Sequence, residues 1–210
     1  TTMRRPFAVL ALAALGLSAA GSSPVHTVDV KDAPAALRAG DYDAAIADFT
    51  RKARENARDS DAHRALARTL LEAGRYREAE EAARTFTGRN PRSSELWNTL
   101  GEILRSRGRL EDAEAAFKKA VAGRASDALV AEANLAVLRF ERGEREEAMN
   151  GFRRLIAAYN QSAGLSSEEL VAVGTACRYL GAEDPQLFKA ALKAFDEAIA
   201  ADADNVDARV

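Results

Sequence analysis

Two hydrophobic patterns divide the chain. Near its start, Phe7 to Leu17 is one run of apolar and small residues behind Arg4 and Arg5. Beyond about residue 32, apolar residues return at intervals of three and four, the spacing that places them on one face of a helix. Four strings interrupt that period: Gly40-Asp41-Tyr42-Asp43-Ala44-Ala45, Gly74-Arg75-Tyr76-Arg77-Glu78-Ala79, Gly108-Arg109-Leu110-Glu111-Asp112-Ala113 and Gly143-Glu144-Arg145-Glu146-Glu147-Ala148. Their glycines stand 34, 34 and 35 residues apart. A helical pattern precedes and follows each string. The prediction is therefore a series of repeats with two helices each, a glycine ending the first helix in the left-handed region.

Other positions keep the same phase. A leucine precedes the glycine by eight residues at Leu66, Leu100 and Leu135, followed by a small residue at Ala67, Gly101 and Ala136. Four residues past the last alanine of each string stand Phe49, Ala83, Phe117 and Phe152. Ala45, Ala79, Ala113 and Ala148 are expected where two helices approach closely, so a larger side chain there overpacks at about 1–3 kcal/mol. Trp97, Phe117 and Phe152 are expected to fill the matching gaps. Neither helix of a pair buries its apolar face alone, so neighbouring pairs must stack.

This phase resembles the tetratricopeptide repeat family. In the third copy Trp97, Leu100, Gly101, Leu104, Gly108, Leu110, Ala113, Phe117 and Ala120 fall on the family's signature positions; the second carries Leu66, Ala67, Gly74, Tyr76, Ala79 and Asn90-Pro91. The resemblance implies an all-α fold, a right-handed superhelical solenoid of antiparallel helix pairs. A fifth, irregular copy follows. Leu170, Val173, Gly174, Cys177 and Gly181 repeat the first-helix pattern, and Phe195 and Ala198 the second. Ser166-Ser167-Glu168-Glu169 reads as a capping box, and Asp184-Pro185 as an N-cap with a first-turn proline. The expected organisation is a signal peptide over 1–20, a flexible segment over 21–31, four repeats over 32–159, a joint at 160–165, the degenerate repeat over 166–204, and the start of a further helix at 205–210. That last start, without a polar capping helix, leads us to expect the N-terminal part of a longer protein or a truncated gene product.

The first twenty residues have the order of a secretory signal: positive charge, apolar run, then Ser18-Ala19-Ala20-Gly21. The run is well short of the roughly 20 residues a membrane span needs. An exported protein, periplasmic or extracellular, with no membrane span after cleavage is expected.

Composition narrows the chemistry. Of 210 residues, 47% are hydrophobic, 30% charged and 6% aromatic, and 30 basic against 32 acidic side chains give a net charge of −2. Few aromatics and much alanine argue against a β-sandwich or barrel. The balanced charge gives no reason to expect nucleic acid. With Cys177 alone, no intramolecular disulfide or cysteine-based zinc site forms. The histidines are His26 and His63. His63 stands where Trp97 stands one repeat later, and is expected as a packing residue. Glu80-Glu81 and Glu146-Glu147 are expected to be solvated charge. No HExxH, P-loop or GxSxG string occurs. We expect no catalytic residue, no metal and no cofactor.

Binding is the expected role. The resemblance implies a concave groove lined by positions two, five, nine and twelve of each first helix. These are Asp61, Arg64, Arg68 and Leu71, then Glu95, Asn98, Glu102 and Arg105, then Val130, Ala133, Val137 and Phe140. Candidate groove residues are thus Arg64, Arg68, Asn98, Glu102, Arg105, Val137 and Phe140. The arginines suit carboxylates of an extended peptide, and Asn98 its backbone. Thr99 stands where the family's acidic-tail clamp expects asparagine, which argues against chaperone-tail recognition. The expected function is a protein–protein interaction scaffold of the bacterial envelope, with an unidentified peptide or protein partner. An alternative is the non-catalytic N-terminal region of a longer, metallopeptidase-like secreted hydrolase. Self-association through the uncapped C-terminal repeat is a further expectation.

Overall fold

The computed structural model describes residues 32–123, 128–161 and 164–202. The expected signal peptide, the segment after it to residue 31, His26 and the helix start at 205–210 lie outside the described residues. Within them the chain forms α1 (Ala33–Arg38), α2 (Tyr42–Glu55), α3 (Ser60–Glu72), α4 (Tyr76–Arg89), α5 (Ser94–Ser106), α6 (Leu110–Val121), α7 (Ala128–Glu141), α8 (Arg145–Gln161), α9 (Ser167–Leu180) and α10 (Gln186–Ala201), with no strand among the described residues.

Local chemistry sets these boundaries. Asp59 accepts the Ala62 N–H at 2.9 Å to start α3, and Ser93 that of Leu96 at 3.3 Å to start α5. Ser166 and Glu169 form the expected capping box of α9. Gly40, Gly74, Gly108 and Gly143 take φ from +71° to +83°. At each the chain closes the same paired hydrogen bonds: Gly74 N–H donates to Leu71 and Arg75 N–H to Leu70, and Gly108 and Arg109 donate to Arg105 and Leu104. This glycine-terminated turn reverses the chain within two residues.

Packing then follows the repeat. Successive helices pack in chain order, and the first helices of neighbouring pairs also meet, α3 with α5, α5 with α7 and α7 with α9. Among the described residues, the backbones of the second helices do not come within 8 Å of one another. An inner row that touches and an outer row that does not give a curved solenoid, concave on α3, α5, α7 and α9. Ala45, Ala79, Ala113 and Ala148 are all fully buried, as their spacing predicts. The Phe117 ring lies over Gly101, and the Phe195 ring over Gly174, where an added Cβ would stand 2.6 Å from it. Both pairings show a glycine that admits an aromatic ring.

Some expectations need correction. Trp97 is half-buried rather than a gap filler; its indole N–H donates to the Pro91 carbonyl at 2.9 Å, and Lys119 Nζ lies 4.1 Å above its ring. Gly181 has φ −59° and is no left-handed stop. It is small because the Phe188 ring covers it, 2.6 Å from where a Cβ would be. Asn160 and Gln161 belong to α8, which runs 17 residues. Glu80 is not solvated charge. It is 6% exposed and holds Arg84 at 2.7 Å, Arg109 at 2.6 Å and Arg107. Arg107 and Arg109 come from the next repeat's turn, so the carboxylate clasps two repeats together. Glu114 repeats the clasp with Lys118 and Arg142, each at 2.8 Å.

Candidate functional site

The concave row forms a groove of about 520 Å³. From α3 come Arg64, Arg68 and Leu71, from α5 Glu95, Asn98, Glu102 and Arg105, from α7 Val130, Ala133, Asn134, Val137 and Glu141, and from α9 Glu168, Val171, Thr175, Arg178 and Tyr179. A second cavity of about 490 Å³ shares Arg64, Arg68 and Glu168 and adds Phe49, Lys52 and Asp61, extending the groove toward α2. Four arginines and four glutamates therefore stand around a floor of valine, alanine, leucine and tyrosine.

Arg64, Arg68, Asn98, Glu102, Arg105 and Val137 share this wall. Phe140 does not. It packs edge-on against Tyr179, centroids 4.9 Å apart, and beneath the Arg145 guanidinium at 5.1 Å. Tyr179 in turn stacks on Phe152 at 4.7 Å. This aromatic cluster draws Phe140 off the groove and into the α7–α9 contact.

The α9 wall is not among the residues that the sequence singles out, though the register contains it. Gly174 lies under Phe195 as Gly101 lies under Phe117. Counted from those two glycines, Glu168, Val171, Thr175 and Arg178 stand where Glu95, Asn98, Glu102 and Arg105 stand. Gly181 keeps the same offset of 73 residues from Gly108 as Gly174 from Gly101, so the inserted turn shifts only α10.

The polar groups of the floor are tied to each other. Asn98 is buried; its Nδ2 donates to Glu102 Oε1, and Asn134 Nδ2 donates to both Asn98 Oδ1 and Glu102 Oε1, all at 3.0 Å. Asn98 thus positions Glu102 and joins α5 to α7. Arg105 Nη1 meets Glu141 Oε1 at 2.8 Å, and Arg64 meets Asp61 at 3.6 Å. Half-exposed pairs of this kind contribute only about 0–1 kcal/mol. These pairs therefore hold their arginines only weakly.

Two groups outside the groove are structural. His63 is 1% exposed, stacks on Phe86 with centroids 3.9 Å apart, and places Nε2 3.1 Å from the Ala57 carbonyl. Ala57 and His63 hold the same repeat positions as Pro91 and Trp97, so one ring N–H contact to the preceding turn recurs with two different side chains. His63 is a packing residue, as its register predicts. Cys177 is buried in α9, and that burial pushes its thiol pKa up. Among the described residues no group of three or more metal-ligating side chains comes together, and no helix is long and apolar enough to cross a membrane.

A curved stack of glycine-turned helix pairs with a groove along its first helices defines a helical-repeat protein. The tetratricopeptide repeat family model matches residues 31–76 and 64–128, so this stretch consists of repeats of that family. A thermophilic TPR protein of Thermus thermophilus is 24% identical, with a TM-score of 0.57 over 84% of this chain and 91% of that one. MamA is 20% identical, with a TM-score of 0.54 over 79% of this chain and 95% of its own. A tetratricopeptide repeat protein from Parabacteroides merdae is 11% identical, with a TM-score of 0.53 over 84% of this chain and 66% of its own. These likenesses are of fold. No curated protein matches the chain.

Proposed function

We propose that this protein is an exported interaction scaffold that holds an extended segment of a partner protein in its concave groove. The carrying observation is convergence. Equivalent positions of four successive first helices form one continuous wall, charged at its rim, with valines, Ala133 and Tyr179 beside the Asn98–Glu102–Asn134 network on its floor. An extended peptide suits that wall because its side chains alternate, one set reaching the valines and Tyr179 and the other the charged rim. Arg64, Arg68, Arg105 and Arg178 select carboxylates, while Glu95, Glu102, Glu141 and Glu168 select basic groups or backbone N–H. A segment of mixed charge with apolar residues between fits better than a purely acidic tail. Export rests on the order of residues 4–21.

The test is selection from a randomised peptide display library against the purified protein. Enrichment of mixed-charge, apolar-containing peptides is expected. Substituting both Arg68→Glu and Arg105→Glu should weaken the selected peptides at least tenfold, since one charge-assisted hydrogen bond is worth about 1.5–3 kcal/mol. Equal binding by the double variant, with its helical signal unchanged, would place the binding face elsewhere.

A further inference from the structure

The charged groups of the groove are not equally satisfied. Arg105 and Glu141 meet each other at 2.8 Å, and Glu168 is exposed at the start of α9. Glu102 differs from both. It is half-buried, and its carboxylate is held by neutral amides: Asn98 Nδ2 and Asn134 Nδ2 each donate to Oε1 at 3.0 Å. Asn98 is only 7% exposed, and its Oδ1 accepts from Asn134 Nδ2, also at 3.0 Å. The three side chains close a ring that orients the carboxylate without balancing its charge. Among the described residues no lysine or arginine pairs with Glu102, and its Oε2 accepts no hydrogen bond.

We propose that Glu102 anchors a lysine side chain of the segment held in the groove, which rests on the groove being where that segment lies. The acceptors left open select lysine over arginine. A carboxylate oxygen offers about two lone-pair sites, and both on Oε1 are taken by the asparagines. A bidentate guanidinium needs the two carboxylate oxygens side by side, so it finds half of its partner occupied. An ammonium is a point charge with rotatable donors, and Oε2 alone serves it. Ala133 and Val137, one residue before and three after Asn134 on α7, line the same cavity and give the aliphatic stem of a lysine an apolar surface to lie along. The register adds context on both sides. The position of Glu102 is held by Arg68 one repeat earlier and by Val137 one repeat later. The segment therefore carries an acidic residue on one side of its lysine and apolar residues on the other.

The test uses synthetic, N-acetylated copies of the peptides enriched by display selection, with binding read by fluorescence anisotropy. Acetylation removes the terminal amine, so side chains supply every ammonium group. One lysine per peptide should be critical: its replacement by norleucine should weaken binding to the unaltered protein about tenfold or more, and its replacement by arginine about threefold or more. Glu102→Gln keeps an oxygen for both asparagines and removes the charge. That variant, with its far-ultraviolet spectrum unchanged, should bind the lysine and norleucine peptides within about twofold of each other. Enriched peptides without lysine overturn the anchor, as does a lysine peptide that Glu102→Gln binds as tightly as the native protein does. Both of those results leave the groove reading standing, provided that Arg68→Glu with Arg105→Glu still weakens the peptides. Arginine peptides that bind as well as lysine ones overturn the selection for lysine. No enrichment by the native protein overturns the anchor and the groove reading together.

Discussion

Gly101 offers a sharp test of how the repeats hold together. It lies within α5 under the Phe117 ring, which is fully buried. In an exposed helix, Gly→Ala stabilises by about 0.8–1 kcal/mol through backbone entropy. Here the added methyl falls inside the ring's van der Waals envelope, and overpacking of that kind costs about 1–3 kcal/mol. The two effects oppose, so Gly101→Ala should come out neutral to about 2 kcal/mol destabilised. Gly88 near the end of α4 has nothing within 4 Å of its missing Cβ. Gly88→Ala should therefore stabilise by up to about 1 kcal/mol. Adding Phe117→Leu to each background completes the comparison. It should cost less in the Gly101→Ala background than beside the native Gly101, with a coupling of about 0.5–3 kcal/mol. Urea unfolding followed by circular dichroism reads these differences, comparing both midpoint and slope because a repeat array can unfold in parts. If Gly101→Ala raises stability as Gly88→Ala does, and the coupling vanishes, the ring-on-glycine account is refuted.

Further outcomes follow from buried groups. Glu80→Gln should lower stability by about 1–2 kcal/mol, a figure reduced because its arginine partners are partly exposed; no change in urea midpoint would contradict the clasp. Glu114 behaves as a pH probe of the next clasp: Lys118, then Arg142 and Arg139, hold its carboxyl below the ordinary glutamate value. A folded pKa below the unfolded one gives stability that is present above the unfolded value of about 4.3 and lost as pH falls further. Glu114→Gln should therefore flatten the acid limb of stability below that pH, and an unchanged limb would count against it. Cys177, buried and with a raised pKa, should react with iodoacetamide at about pH 8 far more slowly in the folded protein than in urea. Equal rates would show that α9 is open.

What the sequence reveals and what it hides have one physical origin. Glycine phase is legible because a left-handed helix stop is a property of one residue, and Gly40, Gly74, Gly108 and Gly143 all adopt it. The packing of Ala79 and Phe117 is legible for the same reason: each is set by the size of a single side chain. Glu80 is not, because its burial depends on arginines that arrive 27 and 29 residues later on the next turn. Phe140 departs from its expected place because Tyr179, from α9, offers it a better partner than the groove. The α9 wall is legible in register, because Gly174 and Gly181 both stand 73 residues after Gly101 and Gly108 and the inserted turn shifts only α10.

The inner rods touch one another along the whole curve and the outer rods stand apart. Across the outer edge, neighbouring repeats are joined by side-chain clasps such as those of Glu80 and Glu114 rather than by contact between second helices. Small tilts at each hairpin add along the array, so the mouth of the channel widens or narrows without any single joint giving way. Length of occupant and curvature of host would thereby be tied: a segment held as proposed, from α3 to α9, would fix the pitch of everything between.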